Sequence, residues 1–264
     1  MAIAHAVSVD ALNIPNFSLL GKKAFITGGS RGIGRACALA LAGAGADVAI
    51  SSSSAGVDCA NGVCEELRAL GRRAEAYSFD VAARGEVTAV CTRVREDFEQ
   101  IDILINNAGV TRDGVFRKMD RNAWDEVINT DLSSVFEITQ QFVDAMATRG
   151  WGRVINVASV VGRIGNFGQT NYAAAKAGLI GFTKALAREY ARKGVTVNAI
   201  APDFVRTRML ENVPDKALQS VLDGTPVGRL GDPMEIGASA LYLASPAAGF
   251  VTGHVLDVNG GMAM

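Results

Sequence analysis

The sequence contains few of the residues that build disulfides and metal centres. Its 264 residues include four cysteines and two histidines, and no Cys-x-x-Cys pair or Cys/His cluster occurs among them. Structural zinc sites and disulfide frameworks both need such clusters. We therefore expect no bound metal, and we expect the cysteines to be small buried apolar residues in a reducing compartment.

An excess of charge of one sign is also missing. Lysine and arginine together number 26, aspartate and glutamate number 27, and the formal net charge is −1. Surfaces that bind nucleic acids or anionic membranes are strongly basic. The composition therefore argues against nucleic acid and membrane as partners, and any acidic ligand must be bound by local groups.

Long apolar runs are absent as well. Gly43, Gly45 and Asp47 interrupt the richest one, so that no stretch reaches the length of a membrane-spanning helix. The first residues lack the basic region and the clean apolar core of a secretory signal. Together with the cysteine content, these absences favour a cytoplasmic localisation.

What the chain does contain is an alternation of strand-like and helical segments. Hydrophobic residues make up 49% of it, enough for a sizeable core, and no internal repeat interrupts the pattern. The alternation predicts one α/β domain with a Rossmann-like, doubly wound parallel sheet and helices on both faces. The predicted strands cover 22–27, 46–50, 74–79, 101–105, 153–158, 195–200 and 255–258, and the main predicted helices cover 35–42, 57–70, 86–98, 120–149, 171–192 and 233–245.

The domain limits follow from the same pattern. Residues 1–20 show no periodicity and contain Pro15, which predicts a loosely packed N-terminal arm, with a subunit contact as the alternative. Residues 21–264 form the predicted dinucleotide-binding and catalytic domain. Within it, residues 203–226 are polar and broken by proline and glycine, which is typical of a mobile lid with a short helix.

Four predicted strands end in residues suited to a ligand site. Gly28, Asn106, Ser159 and Pro202 each fall at a carboxyl end. In doubly wound sheets these ends meet at one edge, and ligands bind there. The sequence therefore predicts a single active site at this edge.

The first of these ends carries a glycine-rich turn. Gly28-Gly-Ser-Arg-Gly-Ile-Gly34 has the spacing GxxxGxG and lies between the first strand and the first helix. Glycines allow a close approach of the backbone to a pyrophosphate, and the helix N-terminus favours the anion. A glycine turn alone often has only a structural role, but in this position it predicts dinucleotide binding.

The residues after the second strand favour NADP(H). An NAD-binding chain places an acid there to hold the ribose 2′-hydroxyl. This chain has Ser51–Ser54 instead, and no acid occurs before Asp58. Arg31 and the serine hydroxyls could bind a 2′-phosphate, although four serines could also form only a solvated loop.

A candidate acid–base site follows the fifth strand. Ser159 ends that strand, and Tyr172 and Lys176 lie four residues apart on the next helix, so they share one face. A Tyr/Lys pair at this spacing can simply be solvated side chains on a helix surface. The serine and the upstream glycine turn favour the catalytic interpretation. Asn106-Asn-Ala-Gly109 at the fourth strand could be a tight turn or could line the cofactor site.

These motifs together resemble the short-chain dehydrogenase/reductase family over nearly all of residues 21–264. The resemblance implies that Tyr172 donates its proton to a carbonyl oxygen while hydride arrives from the nicotinamide. It implies that Lys176 lowers the pKa of this phenol and binds the nicotinamide ribose, and that Ser159 holds the substrate oxygen. The implied cofactor-binding residues are Gly28, Ser30, Arg31, Gly32, Ile33, Gly34, Ser51, Ser52, Ser53, Asp80, Val81, Asn107, Ala108, Gly109, Tyr172, Lys176, Pro202, Val205 and Thr207, and the implied substrate pocket holds Ser159, Phe167, Gln169 and Phe204.

Within the family the chain looks like the 3-oxoacyl thioester reductases. Similar stretches are NNAGVTRDGVFRKM and GQTNYAAAKAGLIGFTKALARE, and RGWGRVIN and GNFGQTNY look closer to the acetoacetyl-CoA reductases of polyhydroxyalkanoate synthesis. The resemblance implies a thioester substrate carried by CoA or acyl carrier protein. It also implies a homotetramer built through the helices at 120–149 and 171–192 and the last strand.

Two residues depart from the family pattern. Its fourth catalytic residue is an asparagine where this chain has Asp131, and its usual glycine after Pro202 is replaced by Asp203. Asp131 could hold Lys176 charged or could only kink or cap its helix. Asp203 could lie near the nicotinamide carboxamide and repel CoA phosphates, or could face solvent.

Two other functions stay open at this point. The same residues could reduce another ketone or oxidise another alcohol, such as a sugar or a cyclic compound. Alternatively, the two aspartates could leave a cofactor-binding protein with weak catalysis. Consumption of NADPH with a thioester, with ketones only, or with neither distinguishes these cases.

Overall fold

The computed structural model describes residues 16–210 and 215–264. Seven parallel strands form one sheet in the order β3-β2-β1-β4-β5-β6-β7. The predicted fold class is thereby confirmed. The strands are β1 (Lys23–Ile26), β2 (Asp47–Ser52), β3 (Ala74–Ser78), β4 (Ile103–Asn106), β5 (Gly152–Val157), β6 (Val195–Pro202) and β7 (Val255–Val258).

The helices connect consecutive strands and cover both faces of the sheet. Those of the first half are α1 (Gly32–Gly43), α2 (Val57–Ala69), α3 (Arg84–Phe98), α4 (Arg121–Ile128), α5 (Ser134–Gln140) and α6 (Val143–Thr148). Those of the second half are α7 (Val161–Ile164), α8 (Thr170–Tyr190), α9 (Asp215–Gly224) and α10 (Pro233–Ala244).

The alternation of side chains along the strands produces two hydrophobic cores. Ile103 and Ile105 of β4 face one core, which also contains Leu41 of α1 and Leu243 of α10. Leu104, between them, faces the second core together with residues from α3, α5, α6 and α8. Burial on both faces explains why the strands are continuously apolar rather than alternating.

Three elements differ from the sequence prediction. The helix predicted over 120–149 is divided into α4, α5 and α6, and a π-helical turn at Asn129–Ser133 joins the first two. The segment after Ser159, predicted as a loop, contains the one-turn helix α7. Strand β2 continues beyond Ile50 because Ser51 and Ser52 pair with Tyr77 and Ser78 of β3.

The predicted arm lies mostly outside the described residues, which begin at residue 16. Where it is described it packs better than predicted, because Leu19 is fully buried and its N–H donates to the carbonyl oxygen of Ala44 at 2.8 Å. Residues 211–214 of the predicted lid are likewise outside the described part, and the short helix predicted there corresponds to α9. The mobility of the lid stays a prediction.

The cysteines are unpaired. Cys37, Cys64 and Cys91 are buried, as predicted, whereas Cys59 is exposed on the outer face of α2. In the described ranges no group of three or more His, Cys, Asp and Glu side chains could hold a metal ion. Nor does any helix in them have the length and apolar character needed to cross a membrane.

Candidate active site

The glycine turn and the turn after β4 form one hydrogen-bonded unit. Oγ1 of Thr27 accepts hydrogen bonds from the backbone N–H groups of Asn107 (3.0 Å) and Ala108 (3.1 Å). In return, Nδ2 of Asn107 donates to the carbonyl oxygens of Thr27 (2.9 Å) and Gly28 (3.1 Å). Thr27 was not among the predicted site residues, and its position before the first glycine is the only sequence signal for its role.

The glycines of this turn lie where the backbone leaves little room for a side chain. Gly28 and Gly32 have φ angles of 66° and 53°, which disfavour other residues. A Cβ atom at Gly34 would lie 2.2 Å from the carbonyl oxygen of Gly28. Helix α1 begins at Gly32, and its first N–H groups have no partner within the helix. A backbone cradle at a helix N-terminus fits a diphosphate.

Replacing Gly34 with alanine tests this cradle. The new Cβ would have to displace the Gly28 carbonyl and the Asn107 amide, so we expect the Kd for NADPH to rise at least about 100-fold. Fluorescence titration measures it. Gly62→Ala on α2 is the matched control, because nothing lies within 4 Å of a Cβ there. An unchanged Kd in the Gly34 variant would contradict a ligand in the cradle.

Strand β2 buries two of the three serines predicted to bind a 2′-phosphate. Ser51 and Ser52 are 1% and 6% exposed, and their Oγ atoms have no hydrogen-bond partner within the described part of the chain. The alternative of a solvated loop is therefore wrong for Ser51 and Ser52, and their contact with a 2′-phosphate stays a prediction. Ser53 is exposed and remains able to contact a ligand, as does the exposed Arg31 at the start of α1.

The other predicted cofactor residues lie on the same edge of the sheet. Asp80 is exposed at the end of β3, next to the buried Val81, and its Oδ1 accepts a hydrogen bond from Ala82 N. A Cβ at Gly32 would lie 3.2 Å from Cγ2 of Thr207. The segment after β6 therefore reaches the glycine turn, as the motif positions imply. The remaining members of that set are Ser30 and Val205, both buried, Ile33, half-buried, and Pro202, the last residue of β6.

Ser159, Tyr172 and Lys176 meet at the centre of this edge. Oγ of Ser159 accepts a hydrogen bond from the N–H of Val161 (3.1 Å), and Ser159 lies near enough to Tyr172 to lower the pKa of the phenol. Nζ of Lys176 lies 5.4 Å from the centroid of the Tyr172 ring and donates to the carbonyl oxygen of Val157 (3.0 Å). A phenol, a hydroxyl and a buried ammonium ion that lie this close together can move a proton to a ligand oxygen.

Asp131 joins this cluster from the π-helical turn. Its Oδ2 lies 3.2 Å from Nζ of Lys176, and its Oδ1 accepts from the N–H of Val110 at 2.8 Å. A Cβ at Gly109 would come within 2.6 Å of the same carboxylate, so the turn after β4 packs directly on it. Of the two interpretations of Asp131, contact with Lys176 is the one observed.

The electrostatics of the cluster differ from the sequence prediction in one respect. Lys176 does lower the pKa of Tyr172, but burial outweighs it, and Asp131 raises the pKa further, so the pKa lies above that of a free phenol. Burial also raises the pKa of Asp131, against the opposing effect of Lys176. Although burial lowers the pKa of Lys176, Asp131 and Tyr172 raise it above its ordinary value.

The entrance to the cluster contains a carboxylate that sequence reasoning missed. Nε2 of Gln169 lies 3.0 Å from both oxygens of Asp113, and Nδ2 of Asn166 donates to Oε1 of Gln169. Phe167, between them, is 87% exposed. The charge of Asp113 reaches Tyr172 and raises its pKa. Nothing in the spacing of Asp113, 59 residues before Tyr172, indicated this proximity.

Of the two positions predicted for Asp203, exposure to solvent is wrong, and proximity to the nicotinamide carboxamide stays a prediction. Asp203 is half-buried and lines a cavity of about 210 Å³ with Phe204, Thr225 and Gly260 among others. Its Oδ1 has no hydrogen-bond partner among the residues described, and burial raises its pKa. The side chain therefore does not face solvent.

A buried polar ladder connects the strand ends behind the site. Nδ2 of Asn106 on β4 donates to Oδ1 of Asn156 on β5 (2.8 Å) and to Oγ1 of Thr139 on α5 (3.0 Å). Nδ2 of Asn156 donates to Oγ1 of Thr183 on α8 (2.9 Å). These bonds hold two strands and two helices of the site in fixed positions, and the sequence analysis missed all but Asn106.

Comparison with known proteins agrees with this geometry. A family model described as enoyl-(acyl carrier protein) reductase matches residues 28–263. The chain is 48% identical over 241 residues to nodulation protein G of Azospirillum brasilense, covering 91% of this chain and 98% of that protein. It is 44% identical over 247 residues to 3-oxoacyl-[acyl-carrier-protein] reductase FabG of Vibrio harveyi, covering 94% and 99%.

The chain belongs to the short-chain dehydrogenase/reductase family. A crystal structure described as a short-chain alcohol dehydrogenase from Sinorhizobium meliloti 1021 superposes with a TM-score of 0.90 at 36% identity, covering 94% of this chain and 98% of that one. Membership in this family makes the protein an oxidoreductase, and members of the family work with a nicotinamide cofactor. The resemblance found from the motifs is thereby confirmed.

Proposed function

We propose that this protein reduces the 3-oxo group of an acyl thioester, carried by CoA or acyl carrier protein, with NADPH. The position of Ser159, Tyr172 and Lys176 at the same edge of the sheet as the glycine turn carries the proposal, because it provides a proton donor near a turn that fits a dinucleotide. Relatives named 3-oxoacyl-[acyl-carrier-protein] reductase, at 44% identity over nearly their whole length, support the thioester.

Tyr172 is the proposed proton donor. Ser159 lies near enough to the hydroxyl of Tyr172 to lower its pKa, so a carbonyl oxygen placed between the two hydroxyls can accept from both. The bound nicotinamide supplies the hydride for the carbonyl carbon. Ser159 and Tyr172 stabilise the negative charge that develops on the oxygen, and Tyr172 then transfers its proton to that oxygen, which leaves a 3-hydroxyacyl thioester.

The glycine turn and its neighbours are the proposed binding site of the dinucleotide. Backbone N–H groups of Gly32, Ile33 and Gly34 bind the diphosphate at the start of α1. Lys176 binds the nicotinamide ribose, and the binding site of the ribose is lined by Asn107, Ala108 and Gly109. Arg31 and Ser53 bind the 2′-phosphate, since they are the exposed members of the predicted phosphate site.

Arg31→Leu tests the choice of NADPH. Loss of a charge-assisted hydrogen bond costs about 1.5–3 kcal/mol, so we expect the Kd for NADPH to rise about 10- to 100-fold and that for NADH to stay unchanged. Arg35→Leu is the matched control, because Arg35 lies one turn further along α1 and pairs with Glu66. Equal changes for both cofactors would refute a 2′-phosphate site at Arg31.

The substrate class is tested with three compounds of different chemistry. The loss of NADPH absorbance is followed with acetoacetyl-CoA, with crotonyl-CoA and with cyclohexanone, and each is repeated with NADH. We expect rapid oxidation of NADPH with acetoacetyl-CoA and slow oxidation of NADH. Crotonyl-CoA is included because the matching family model is described as an enoyl reductase.

Each other outcome selects a different function. Turnover of cyclohexanone alone would indicate a reductase of simple ketones, and turnover of crotonyl-CoA alone would indicate an enoyl reductase. Binding of NADPH without turnover of any compound would indicate a cofactor-binding protein. Any of these three results would overturn the 3-oxoacyl assignment.

We further propose a homotetramer. Val255–Val258 of β7 are only partly buried although parallel strands are normally covered on both faces, which supports a second copy at this edge of the sheet. Phe136 on α5 is 49% exposed, which supports a further contact through the helices between β4 and β5. Light scattering of the purified protein measures the mass of the assembly.

A further inference from the structure

The carboxylate of Asp131 forms a completely buried ion pair with the ammonium group of Lys176. The two side chains are 0% and 4% exposed, and the atoms Oδ2 and Nζ lie 3.2 Å apart. Burial of a lone charge is costly, so a charge held this deep needs a partner of opposite sign. Apart from Asp131, the described residues give Nζ one oxygen acceptor, the main-chain carbonyl of Val157.

The same carboxylate is attached to the turn that follows β4. Its Oδ1 accepts from the N–H of Val110, and Gly109 packs against its Oδ2 without room for a side chain. The carboxylate therefore has one fixed position between this turn and Lys176. An amide at this position could also accept from Val110 but would carry no charge to offset the ammonium ion.

We propose that Asp131 is a positioning residue that acts through Lys176: its carboxylate holds the ammonium group beside Tyr172, offsets its charge, and thereby sets the pH range over which Tyr172 donates a proton. The proposal rests on the proposed function, because the donated proton is the one that reduction consumes. It concerns the carboxylate in this chain, at the position where the family resemblance implies an asparagine.

All charged or hydrogen-bonding groups that face Tyr172 enter this balance. Lys176, on its own helix, and Ser159, at the end of β5, favour the ionised phenol. Asp131, from the π-helical turn, and Asp113, from the loop after β4, favour the protonated phenol, as does burial. The fully buried Asp131 has the stronger influence of the two aspartates, since solvent screens Asp113 at the entrance.

The direction of the pH effect follows from these signs. Reduction needs the protonated phenol, so activity falls as the pH rises through the pKa of Tyr172. Without the charge of Asp131, the pKa of Tyr172 falls, and the pKa of Lys176 falls as well because the ammonium ion loses its partner. Each of these lowered pKa values moves the alkaline decline of activity to lower pH.

Asp131→Asn removes the charge and keeps the shape. The asparagine oxygen can still accept from Val110, so we expect the Kd for NADPH to change less than about threefold. We expect the alkaline decline of kcat/KM to move down by about one pH unit, which is about a tenfold loss of activity at high pH. Asp113→Asn is the matched control and should move the decline by less than about 0.3 unit. An unmoved pH profile in the Asp131 variant would overturn the proposal.

A second measurement needs no substrate. Near-ultraviolet absorbance follows the ionisation of tyrosines, and the difference between the wild-type protein and Tyr172→Phe isolates Tyr172. We expect this phenol to titrate above the value of free tyrosine, about 10. The same titration in a protein that also carries Asp131→Asn should give a lower value, and an unchanged value would refute the charge balance assigned to Asp131. If the protein does not reduce 3-oxoacyl thioesters, by contrast, the titration of Tyr172 is unaffected.

Discussion

Replacing Tyr172 with phenylalanine is expected to lower kcat by about 10²- to 10⁴-fold, the usual contribution of a general acid. The variant lacks the phenol whose pKa both Ser159 and Lys176 lower, and we expect no other group to replace it as proton donor. The phenyl ring fills the same space, and we therefore expect the Kd for NADPH to stay within about threefold of the wild-type value. Steady-state kinetics with acetoacetyl-CoA and fluorescence titration measure the two quantities.

Tyr190→Phe provides the matched control for this prediction. Tyr190 lies at the end of the same helix and donates a hydrogen bond to Asp144 at 2.7 Å, away from the site. Loss of the Tyr190 hydroxyl should leave kcat unchanged. If Tyr172→Phe retained more than about one tenth of the wild-type kcat, another residue would have to supply the proton.

Lys176→Met is expected to lower the free energy of unfolding by about 3–5 kcal/mol. The substitution leaves the Asp131 carboxylate buried without its cation, which is the costly half of a broken ion pair. Chemical denaturation measures the loss. Adding Asp131→Asn should restore most of it, because the double variant buries no unpaired charge.

The pH dependence of this variant follows from the raised pKa of Asp131. A carboxyl whose pKa is higher in the folded than in the unfolded state favours folding most strongly at low pH. The Lys176→Met variant should therefore recover stability as the pH is lowered toward the unfolded-state value, about 3.9. Lys184→Met, on the exposed face of the same helix, should change stability by less than about 0.5 kcal/mol. An equal loss in both variants would contradict a buried ion pair.

The parts of the site that follow from local sequence rules were predicted well. Spacing of four residues on one helix is sufficient to bring Tyr172 and Lys176 to one face, whatever the tertiary fold. A glycine turn between a strand and a helix is a local feature too. The common edge of the strand ends follows from the parallel topology, which the alternation of elements indicates.

The parts that depend on contacts between distant segments were not predictable. Main-chain pairing with β3 draws Ser51 and Ser52 into β2, although serines favour loops when considered alone. Asp113 approaches Tyr172 because Gln169 connects their two loops. Neither effect leaves a periodic signal in the sequence.

Asp131 illustrates the difference between what the sequence determines and what the tertiary structure determines. The sequence by itself determined that a carboxylate stands at this position, that Tyr172 and Lys176 share a helix face, and that a glycine turn connects β1 to α1. The tertiary structure alone decided that the carboxylate meets the ammonium group, because the π-helical turn and the packing of Gly109 place it 3.2 Å from Nζ in a site without solvent. Charges interact over distances in space rather than along the chain, so their pairing appears only when the segments are folded together.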